Sequence, residues 1–344
     1  MTDAFLSVRD LHVRFATQAG AVHAVNGLSF DLHRGRTLGI VGESGSGKSV
    51  TSLAVLGLHN RAKTSVEGEI VLDGQDLTTL REKELEGLRG RRMSMIFQDP
   101  LTALSPYYTI GNQLADGYRA HTGAGRKAAR ERAVDMLARV GIAQPKQRAD
   151  SYPHQFSGGM RQRAMIAMAL MCDPDLLIAD EPTTALDVTV QAQILDLLAD
   201  VQQEFGTAIV LITHDLGVVA QTAHEVMVMY GGRCVERGTV EEVLVDPQHP
   251  YTWGLLGSMP TLDGDPDADL TPIEGTPPSL LDPPPGCAFH PRCGYVDRAG
   301  GPACRTARPA LAGTGHQAAC HLPAATREQI LIQEVHHAGR GSEA

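Results

Sequence analysis

A glycine-rich segment at residues 42–49, GESGSGKS, carries the residue types that bind phosphate. It matches the pattern G-x-x-x-x-G-K-[ST] at every fixed position, with Gly42, Gly47, Lys48 and Ser49. Glycines let backbone N–H groups approach an anion closely and adopt positive φ. Lys48 can reach the β- and γ-phosphates of a nucleotide, and Ser49 can ligate Mg²⁺. The segment therefore predicts a phosphate-binding loop.

The residues on both sides of this segment support that prediction. Residues 38–41 form a short apolar run typical of a strand, and residues 50–58 have the pattern of a helix start. A strand, a glycine-rich turn and a helix N-terminus together point backbone N–H groups at one anion. The alternative, an accidental Gly/Ser turn, does not account for this context.

Two adjacent carboxylates, Asp180 and Glu181, end the apolar run LLIAD at residues 176–180. Side chains at the carboxyl ends of parallel strands open onto the ligand crevice. Asp180 can hold Mg²⁺, and Glu181 can orient or deprotonate an attacking water. The alternative is a turn or a helix N-terminus, which Pro182 also allows.

Two further polar residues follow apolar runs of strand type. His214 comes after residues 208–213 and can hydrogen-bond a γ-phosphate oxygen. Gln98 ends the run that begins at Met95, and its amide can touch the water shell of Mg²⁺. The alternatives are a capping or core histidine and an ordinary loop glutamine.

The segment FSGGM at residues 156–160 predicts a second anion site. Ser157 offers a hydroxyl, and Gly158 and Gly159 leave backbone N–H groups bare at a predicted helix start. Two phosphate-binding features in one chain indicate either two sites or one site shared between two chains.

The elements that position these residues follow from hydrophobic patterning. Short runs that alternate apolar and polar residues at 5–41 predict an antiparallel β section, whereas the continuous apolar runs at 176–180 and 208–213 predict strands buried on both faces. Helical spacing between these two runs indicates an α/β core with crossovers. Helix patterns at 111–148 and 160–171 predict a helical insert, and Gly231-Gly232 predicts a hairpin turn.

Composition narrows the classes of partner. The 344-residue chain has a net charge of −10 and a pI of about 5.8, which argues against nucleic-acid binding. The N-terminus lacks the basic-then-apolar pattern of a secretory signal. The apolar runs fall short of the roughly 18–20 residues that cross a bilayer. We expect a soluble chain, or one that is peripheral to a membrane through a partner.

Taken in order, these motifs resemble those of the ATP-binding subunits of ATP-binding-cassette (ABC) transporters. Finer strings, such as FQDPLTALSPYYTIGNQL, YPHQFSGGMRQR and HPYTWGLL, resemble the dipeptide/oligopeptide importer branch. The resemblance implies an α/β P-loop NTPase core over residues 5–255, with an antiparallel β subdomain and a helical subdomain at about 99–160. Residues 256–344 would form an irregular C-terminal extension that contains a cysteine cluster.

The resemblance also implies site residues and their roles. Catalysis would fall to Glu181, His214, Gln98 and Lys48, and Mg²⁺ would be held by Ser49, Gln98 and Asp180. Phe15 lies where the family stacks an aromatic ring on adenine, although tyrosine is commoner there. The implied ATP-binding residues are Phe15, Gly42, Ser44, Gly45, Ser46, Gly47, Lys48, Ser49, Val50, Gln98, Asp180, Ser157, Gly158, Gly159 and Asp187.

Such a subunit would be an ATPase that powers import of di- or oligopeptides. Its implied partners are a second ABC ATPase, with a paralogue favoured over a homodimer, two transmembrane permease subunits and an extracytoplasmic peptide-binding protein. The expected location is the cytoplasmic face of the cell membrane. The alternatives are an importer for nickel, opines or glycosides, or a soluble ABC ATPase that does not transport.

Four of the six cysteines lie in the last 60 residues: Cys287, Cys293, Cys304 and Cys320. Their wide spacing gives only weak support for a metal site, but their segment is too loop-rich to build its own core, and a metal would supply the missing cross-link. The resemblance implies a [4Fe–4S] cluster. The residues leave open Zn²⁺, with His290, His316 or His321 as a substitute ligand, and free thiols or disulfides. Cys172 and Cys234 are predicted to be small core residues.

Overall fold

The computed structural model describes residues 4–184, 186–258 and 272–335. Within these residues the strands form a smaller antiparallel sheet and a larger mixed sheet. The strands are β1 (Leu6–Thr17), β2 (Gly20–Leu32), β3 (Thr37–Val41), β4 (Thr64–Leu72), β5 (Gln75–Asp76), β6 (Met93–Ile96), β7 (Leu176–Asp180), β8 (Ala208–Ile212), β9 (Glu225–Tyr230), β10 (Arg233–Thr239) and β11 (Gln317–Ala318).

Helices cover both faces of the larger sheet and fill the chain between β6 and β7. The α-helices of the described residues are α1 (Lys48–Val55), α2 (Glu82–Leu88), α3 (Pro100–Ala103), α4 (Ile110–Thr122), α5 (Arg126–Arg139), α6 (Pro145–Arg148), α7 (Gly158–Leu170), α8 (Val188–Phe205), α9 (Leu216–Thr222), α10 (Val240–Val245), α11 (Pro250–Gly257), α12 (Pro302–Thr306) and α13 (Ala324–Ile330). Short 3₁₀ turns span Leu77–Thr79, Pro153–Gln155 and His290–Arg292, and a π turn spans Leu331–Val335.

The smaller sheet has the strand order β2-β1-β4-β5, and all its pairs are antiparallel. Asp73 and Gly74 join β4 to β5 with φ values of 51° and 79°, a turn that favours Asp and Gly. The predicted antiparallel section near the N-terminus is confirmed.

The larger sheet has the strand order β11-β10-β9-β3-β8-β7-β6. Strands β9, β3, β8, β7 and β6 run parallel, whereas β10 and β11 pair antiparallel at one side. Because β3, β8 and β7 are parallel neighbours, their carboxyl ends lie at one edge of the sheet. The residues that follow Val41, Asp180 and Ile212 therefore meet at that edge.

The continuous apolar runs of β7 and β8 are explained by burial on both faces. In β7, Leu177 and Ala179 pack into a cluster with the helices, whereas Leu176 and Ile178 pack into a second cluster with the antiparallel sheet. All five residues of β7 are buried. The predicted pair of doubly buried parallel strands is confirmed.

The C-terminal extension packs against the larger sheet instead of standing apart. Residues of β11 pair with Glu236 and Arg237 of β10. Trp253 of α11 packs in a cluster with Leu322 and Ile330 of the extension. The predicted proline-rich arm at 260–285 lies partly outside the described residues, and its described part, 272–285, has no helix or strand.

The predicted domain limits, 5–255 and 256–344 with a helical subdomain at about 99–160, remain predictions. Helices α3 to α6 lie inside the last of these ranges. None of the helices in the described residues is long and apolar enough to cross a membrane.

His249 makes the stability of this region depend on pH. It is fully buried, and its Nδ1 accepts a hydrogen bond from the Tyr251 N–H at 3.1 Å. Burial, with help from Arg327, lowers the pKa of His249 to about 3. The unfolded chain therefore binds a proton below about pH 6.5 that the folded chain excludes, so stability is lost as pH falls.

We expect His249→Asn to remove this dependence, because asparagine can cap α11 but does not titrate. Between pH 7 and pH 5 the wild-type chain should lose about 2 kcal/mol of unfolding free energy more than the variant does. Denaturant unfolding at both pH values measures this difference. Equal losses in the two proteins would show that His249 contributes nothing to acid sensitivity.

Candidate active site

The phosphate-binding loop connects β3 to α1 at the carboxyl edge of the larger sheet. Gly42 and Gly47 have φ values of 148° and 102°. A Cβ would lie 2.2 Å from the Met229 carbonyl oxygen at Gly42 and 2.4 Å from the Ala24 carbonyl oxygen at Gly47. The loop backbone is thus pressed against the main chains of β9 and β2, and only glycine fits at these positions.

Lys48 begins α1 and points its ammonium into the loop. The side chain is only 7% exposed, and its Nζ donates to the Gly42 carbonyl oxygen at 2.6 Å and to the Glu43 carbonyl oxygen at 3.0 Å. Burial lowers the pKa of Lys48, while the nearby carboxylates of Glu181, Asp180 and Glu43 oppose that shift. A bound phosphate would meet a charged donor that is already held in place.

Asp180, the last residue of β7, has an unsatisfied acceptor. Its Oδ1 is buried without a hydrogen-bond partner in the described residues. Burial raises the pKa of Asp180, and the Ser49 hydroxyl and the Lys48 charge lower it. An orphaned carboxylate oxygen beside a serine hydroxyl is a donor set suited to a hard cation such as Mg²⁺. The Ser46 Oγ is likewise buried without a partner in the described residues.

Glu181 stands at the centre of the predicted catalytic residues. Its carboxylate accepts hydrogen bonds from Gln98 Nε2 and Thr184 Oγ1, both at 2.9 Å. His214 Nδ1 lies 3.4 Å from Glu181 Oε1. The structure thus brings together Gln98, Glu181 and His214, which come from three separate parts of the chain.

The backbone of Glu181 is strained. Its φ of 49° is in the left-handed region, where residues other than glycine, asparagine and aspartate are uncommon. Its N–H donates to the Ile212 carbonyl oxygen at 2.8 Å, so pairing with β8 holds the conformation. Strain of this kind persists where the surroundings over-determine the geometry, which is frequent at active sites.

Phe15 and Val50, which the resemblance implied as nucleotide contacts, lie near His59. The Phe15 ring meets the His59 ring edge-on, with centroids 5.4 Å apart, and His59 Nε2 lies 2.9 Å from the Val50 carbonyl oxygen. Burial lowers the pKa of His59. Ser44 and Gly45 are exposed at the tip of the loop.

The Ser157-Gly158-Gly159 segment lies at the start of α7. The Ser157 side chain caps the helix by accepting from the Met160 N–H at 3.3 Å. Ser157 and Gly158 are exposed, and no hydrogen bond between described residues joins the segment to the phosphate-binding loop. Asp187 caps α8 by accepting from the Val190 N–H at 2.9 Å. The nucleotide contacts expected of this segment and of Asp187 remain predictions.

Three residues near the site carried no usable sequence signal. They are Thr184, which donates to Glu181, His59, which contacts Phe15, and Gln162. Gln162 is buried in α7, and its Nε2 donates to the Pro182 carbonyl oxygen at 2.6 Å, which ties the helix to the loop after Glu181.

The metal-binding prediction for the C-terminal cysteines is wrong. The four cysteines line one narrow cavity, but the described residues contain no group of three or more His, Cys, Asp or Glu side chains placed to hold a metal ion. The predicted [4Fe–4S] cluster, and Zn²⁺ as its alternative, are thereby removed. The substitute ligands have other partners: His316 bonds Glu236, His290 bonds the Cys287 carbonyl, and His321 bonds the Ala307 carbonyl.

The physical reason lies in the surroundings of the thiols. Burial raises the pKa of Cys293 to about 12 and that of Cys320 to about 11, and it also raises those of Cys287 and Cys304. Buried neutral thiols act as small apolar residues. These cysteines pack beside the aromatic and aliphatic side chains of α11 and the extension. Cys172 and Cys234 also pack against core clusters, as predicted.

Comparison with known proteins places this geometry in a family. The ABC transporter family model matches residues 25–184, and the model of the oligopeptide/dipeptide transporter C-terminal region matches residues 235–299. Among solved structures, the dimeric post-hydrolysis state of the ATP-binding cassette MJ0796 bound to ADP and Pi aligns with a TM-score of 0.63 and 26% identity. That alignment covers 68% of this chain and 98% of that one.

Curated relatives are much closer in sequence. The dipeptide transport ATP-binding protein DppD of Bacillus subtilis is 56% identical over 84% of this chain and 86% of its own length. The oligopeptide transport ATP-binding protein OppD of the same organism is 54% identical over 85% of this chain and 82% of its own length.

The fold and the site define an ABC ATPase, which binds ATP with Mg²⁺. More narrowly, the chain belongs to the family of ATP-binding subunits of dipeptide and oligopeptide transporters. The predicted fold class, resemblance and enzyme class are confirmed, and the relatives do not favour the alternative importers or a soluble ABC ATPase.

Proposed function

We propose that this chain hydrolyses ATP to drive import of di- and oligopeptides through a membrane permease. The observation that carries the proposal is the convergence of Gln98, Glu181 and His214 beside the phosphate-binding loop, at the carboxyl edge of the parallel sheet. The curated relatives, named as dipeptide and oligopeptide transport ATP-binding proteins, supply the cargo class.

In this proposal the chain's own groups hold the nucleotide. The N–H groups of residues 42–50 and the Lys48 ammonium bind the phosphates, and Phe15 stacks on the adenine. Ser49, Asp180 and Gln98 would hold Mg²⁺, which would supply positive charge to neutralise the phosphate oxygens. The orphaned Asp180 Oδ1 supports this assignment.

Glu181 is the proposed general base. Its carboxylate is 16% exposed and is oriented by Gln98 and Thr184, so it can accept a proton from a water molecule at the open side of the site. His214, 64% exposed beside it, is placed to hydrogen-bond the γ-phosphate. After ATP hydrolysis the γ-phosphate would no longer be attached to the nucleotide, and the loss of its hydrogen bond to His214 would distinguish the ADP-bound state from the ATP-bound state.

A second cassette completes the site. Ser157 and Gly158 are exposed and Gly159 is half-buried at the start of α7, so the N–H groups of this segment can bind the nucleotide held by another protomer, together with Asp187. The structural relative MJ0796 is dimeric with ADP and Pi. Binding of ATP would then close the pair, and hydrolysis would release it.

The proposed docking site for the permease is an apolar groove of about 370 Å³ between α1, β6, α4 and α7. Phe97, Leu58 and Met168 are among its lining residues, and Phe97 and Leu58 are exposed. A helix on the cytoplasmic side of the permease would fill this groove. The chain would thus lie at the cytoplasmic face of the membrane and act with two permease subunits and an extracytoplasmic peptide-binding protein.

Purification from membranes and peptide uptake test this function. The tagged chain should co-purify with integral permease subunits from detergent-solubilised membranes. Cells that depend on it should take up labelled dipeptide, and Glu181→Gln should abolish that uptake. Glu241→Gln, the same change at an exposed glutamate of α10, should leave uptake unchanged. Purification without membrane partners, or uptake that survives Glu181→Gln, would refute the proposal.

A further inference from the structure

The C-terminal extension reaches the phosphate-binding loop through one buried arginine. Arg292 ends the short 3₁₀ turn of the extension, and its side chain is only 5% exposed. Its Nη1 donates to Glu43 Oε2 at 2.6 Å, and its Nη2 donates to Glu43 Oε1 at 3.1 Å. Glu43 is the second residue of the phosphate-binding loop. The contact is therefore a bidentate ion pair between the extension and the loop.

Further hydrogen bonds hold the Arg292 guanidinium in this position. Its Nε donates to the Glu274 carbonyl oxygen at 2.8 Å, and its Nη2 also donates to the Ile273 carbonyl oxygen at 3.0 Å. The Tyr230 hydroxyl, at the end of β9, lies 3.4 Å from Nη1. Contacts with the extension and with the larger sheet thus orient Arg292, independently of its ion pair with Glu43.

The main chain of Glu43 is also held, by a hydrogen bond to Tyr251. Its N–H donates to the Tyr251 hydroxyl at 2.7 Å. Tyr251 is fully buried, and its ring packs against Tyr230 at 4.5 Å and against Phe289 of the extension at 5.4 Å. The Glu43 carbonyl oxygen in turn accepts from Lys48 Nζ. One residue of the loop therefore links the extension to the phosphate-binding lysine.

The ion pair between Arg292 and Glu43 affects the charge that a bound nucleotide would meet. A carboxylate within a loop that must accept a triphosphate repels it, and in a partly buried site that repulsion is poorly screened. The Arg292 guanidinium neutralises Glu43 at direct contact. Without Arg292, the Glu43 carboxylate would be free to act against the phosphates and to compete for Lys48, whose ammonium it already influences.

We propose that Arg292 is a positioning residue for ATP, through which the C-terminal extension neutralises Glu43 and holds the first turn of the phosphate-binding loop. The extension would then be required for tight nucleotide binding by the chain's own loop, in addition to any contact it makes elsewhere. This inference rests on the loop being the ATP site and goes beyond the proposed transport function.

A set of variants of the full-length chain tests it by titration with fluorescent ATP and Mg²⁺. Arg292→Gln should weaken binding at least about tenfold, because it leaves the half-buried Glu43 carboxylate unpaired inside the phosphate-binding loop. Glu43→Gln should bind within about threefold of the wild-type chain, since it removes the repulsive charge. The double variant Glu43→Gln/Arg292→Gln should also return to within about threefold. Arg308→Gln is the matched control, because Arg308 belongs to the extension but bonds the Asn26 carbonyl oxygen of β2.

Recovery of ATP affinity in the double variant distinguishes a positioning role of Arg292 from a purely structural role. If the role were purely structural, Arg292→Gln and the double variant would lose the same affinity. Should Arg292→Gln fail to fold, Arg292→Lys carries the test. It keeps the charge, loses the two parallel bonds, and should weaken binding by about threefold. Wild-type affinity in Arg292→Gln or Arg292→Lys, or a double variant as weak as Arg292→Gln, would overturn this inference alone. A wild-type chain that binds no nucleotide would overturn it together with the proposed function.

Discussion

Glu181→Gln is expected to lower the ATP turnover of the assembled complex by at least about 100-fold, while ATP binding is retained. Glutamine has the same shape, and its carbonyl oxygen can still accept from Gln98 or Thr184, but it cannot take a proton from water. Steady-state phosphate release and a nucleotide titration measure the two quantities.

Glu241→Gln is the matched control for this experiment, since it makes the same chemical change at an exposed site. Its turnover should equal that of the wild-type complex. Near-normal hydrolysis by Glu181→Gln would remove Glu181 from the role of base. A joint loss of turnover and ATP binding would instead point to damage of the loop.

Lys48→Ala is expected to weaken ATP binding by roughly 30-fold or more, because it removes a largely buried charged donor that faces the phosphates. The effect should be larger than that of any exposed lysine. The Lys48 ammonium is held by the carbonyl oxygens of Gly42 and Glu43 before the ligand arrives, so little conformational entropy is lost on binding.

Fluorescent ATP titration of the full-length chain measures this affinity. Lys127→Ala, at an exposed position of α5, is the matched control and should bind ATP like the wild-type chain. Melting temperatures of both variants show whether the fold survives the loss of the loop hydrogen bonds. Unchanged affinity in Lys48→Ala would contradict the assignment of the phosphate-binding loop.

Much of the fold could be predicted because it depends on which side chains are buried, and burial determines the pattern of apolar residues along the sequence. The runs that became β7 and β8 are continuously apolar, since each strand packs against helices on one face and against the antiparallel sheet on the other. Parallel order then placed Asp180, Glu181 and His214 at one edge. The location of the candidate site followed from pattern and spacing together.

The contacts that sequence could not reveal depend on how distant segments pack. The Thr184 hydroxyl, the Gln162 amide and the Arg292 guanidinium lie in ordinary polar contexts, and only the folded chain brings them to Glu181, Pro182 and Glu43. The pairing of β11 with β10 has the same origin, because a two-residue strand has no periodicity to detect.

The error at the cysteines has a different cause. The loop-rich segment indicated a missing cross-link and the resemblance implied a cluster, but neither defines where the sulfur atoms point. In the folded chain Cys293, Cys304 and Cys320 join a small core with Trp253, Leu322 and Ile330, and Cys287 packs against a neighbouring apolar cluster. This packing supplies the cohesion that the prediction assigned to a metal. Sequence reasoning underestimated the apolar surface that α11 offers to the extension.

The account rests on a nucleotide gripped between the loop of one protomer and the Ser157-Gly158-Gly159 segment of another. Gly158→Arg offers a blocking variant, since an added Cβ at Gly158 meets no atom within 4 Å and the chain should still fold. Gly125→Arg is its control, because Gly125 is equally open and is the N-cap residue of α5.

The most direct measurement is the molar mass, by light scattering, of Glu181→Gln with ATP and Mg²⁺, alone and mixed with the second cassette subunit. We predict that one of these samples doubles from the 36.8 kDa of a single chain. Adding Gly158→Arg should abolish that doubling, and adding Gly125→Arg should not. A single-chain mass in both samples would contradict the account, and so would a dimer that still forms when Gly158→Arg is added.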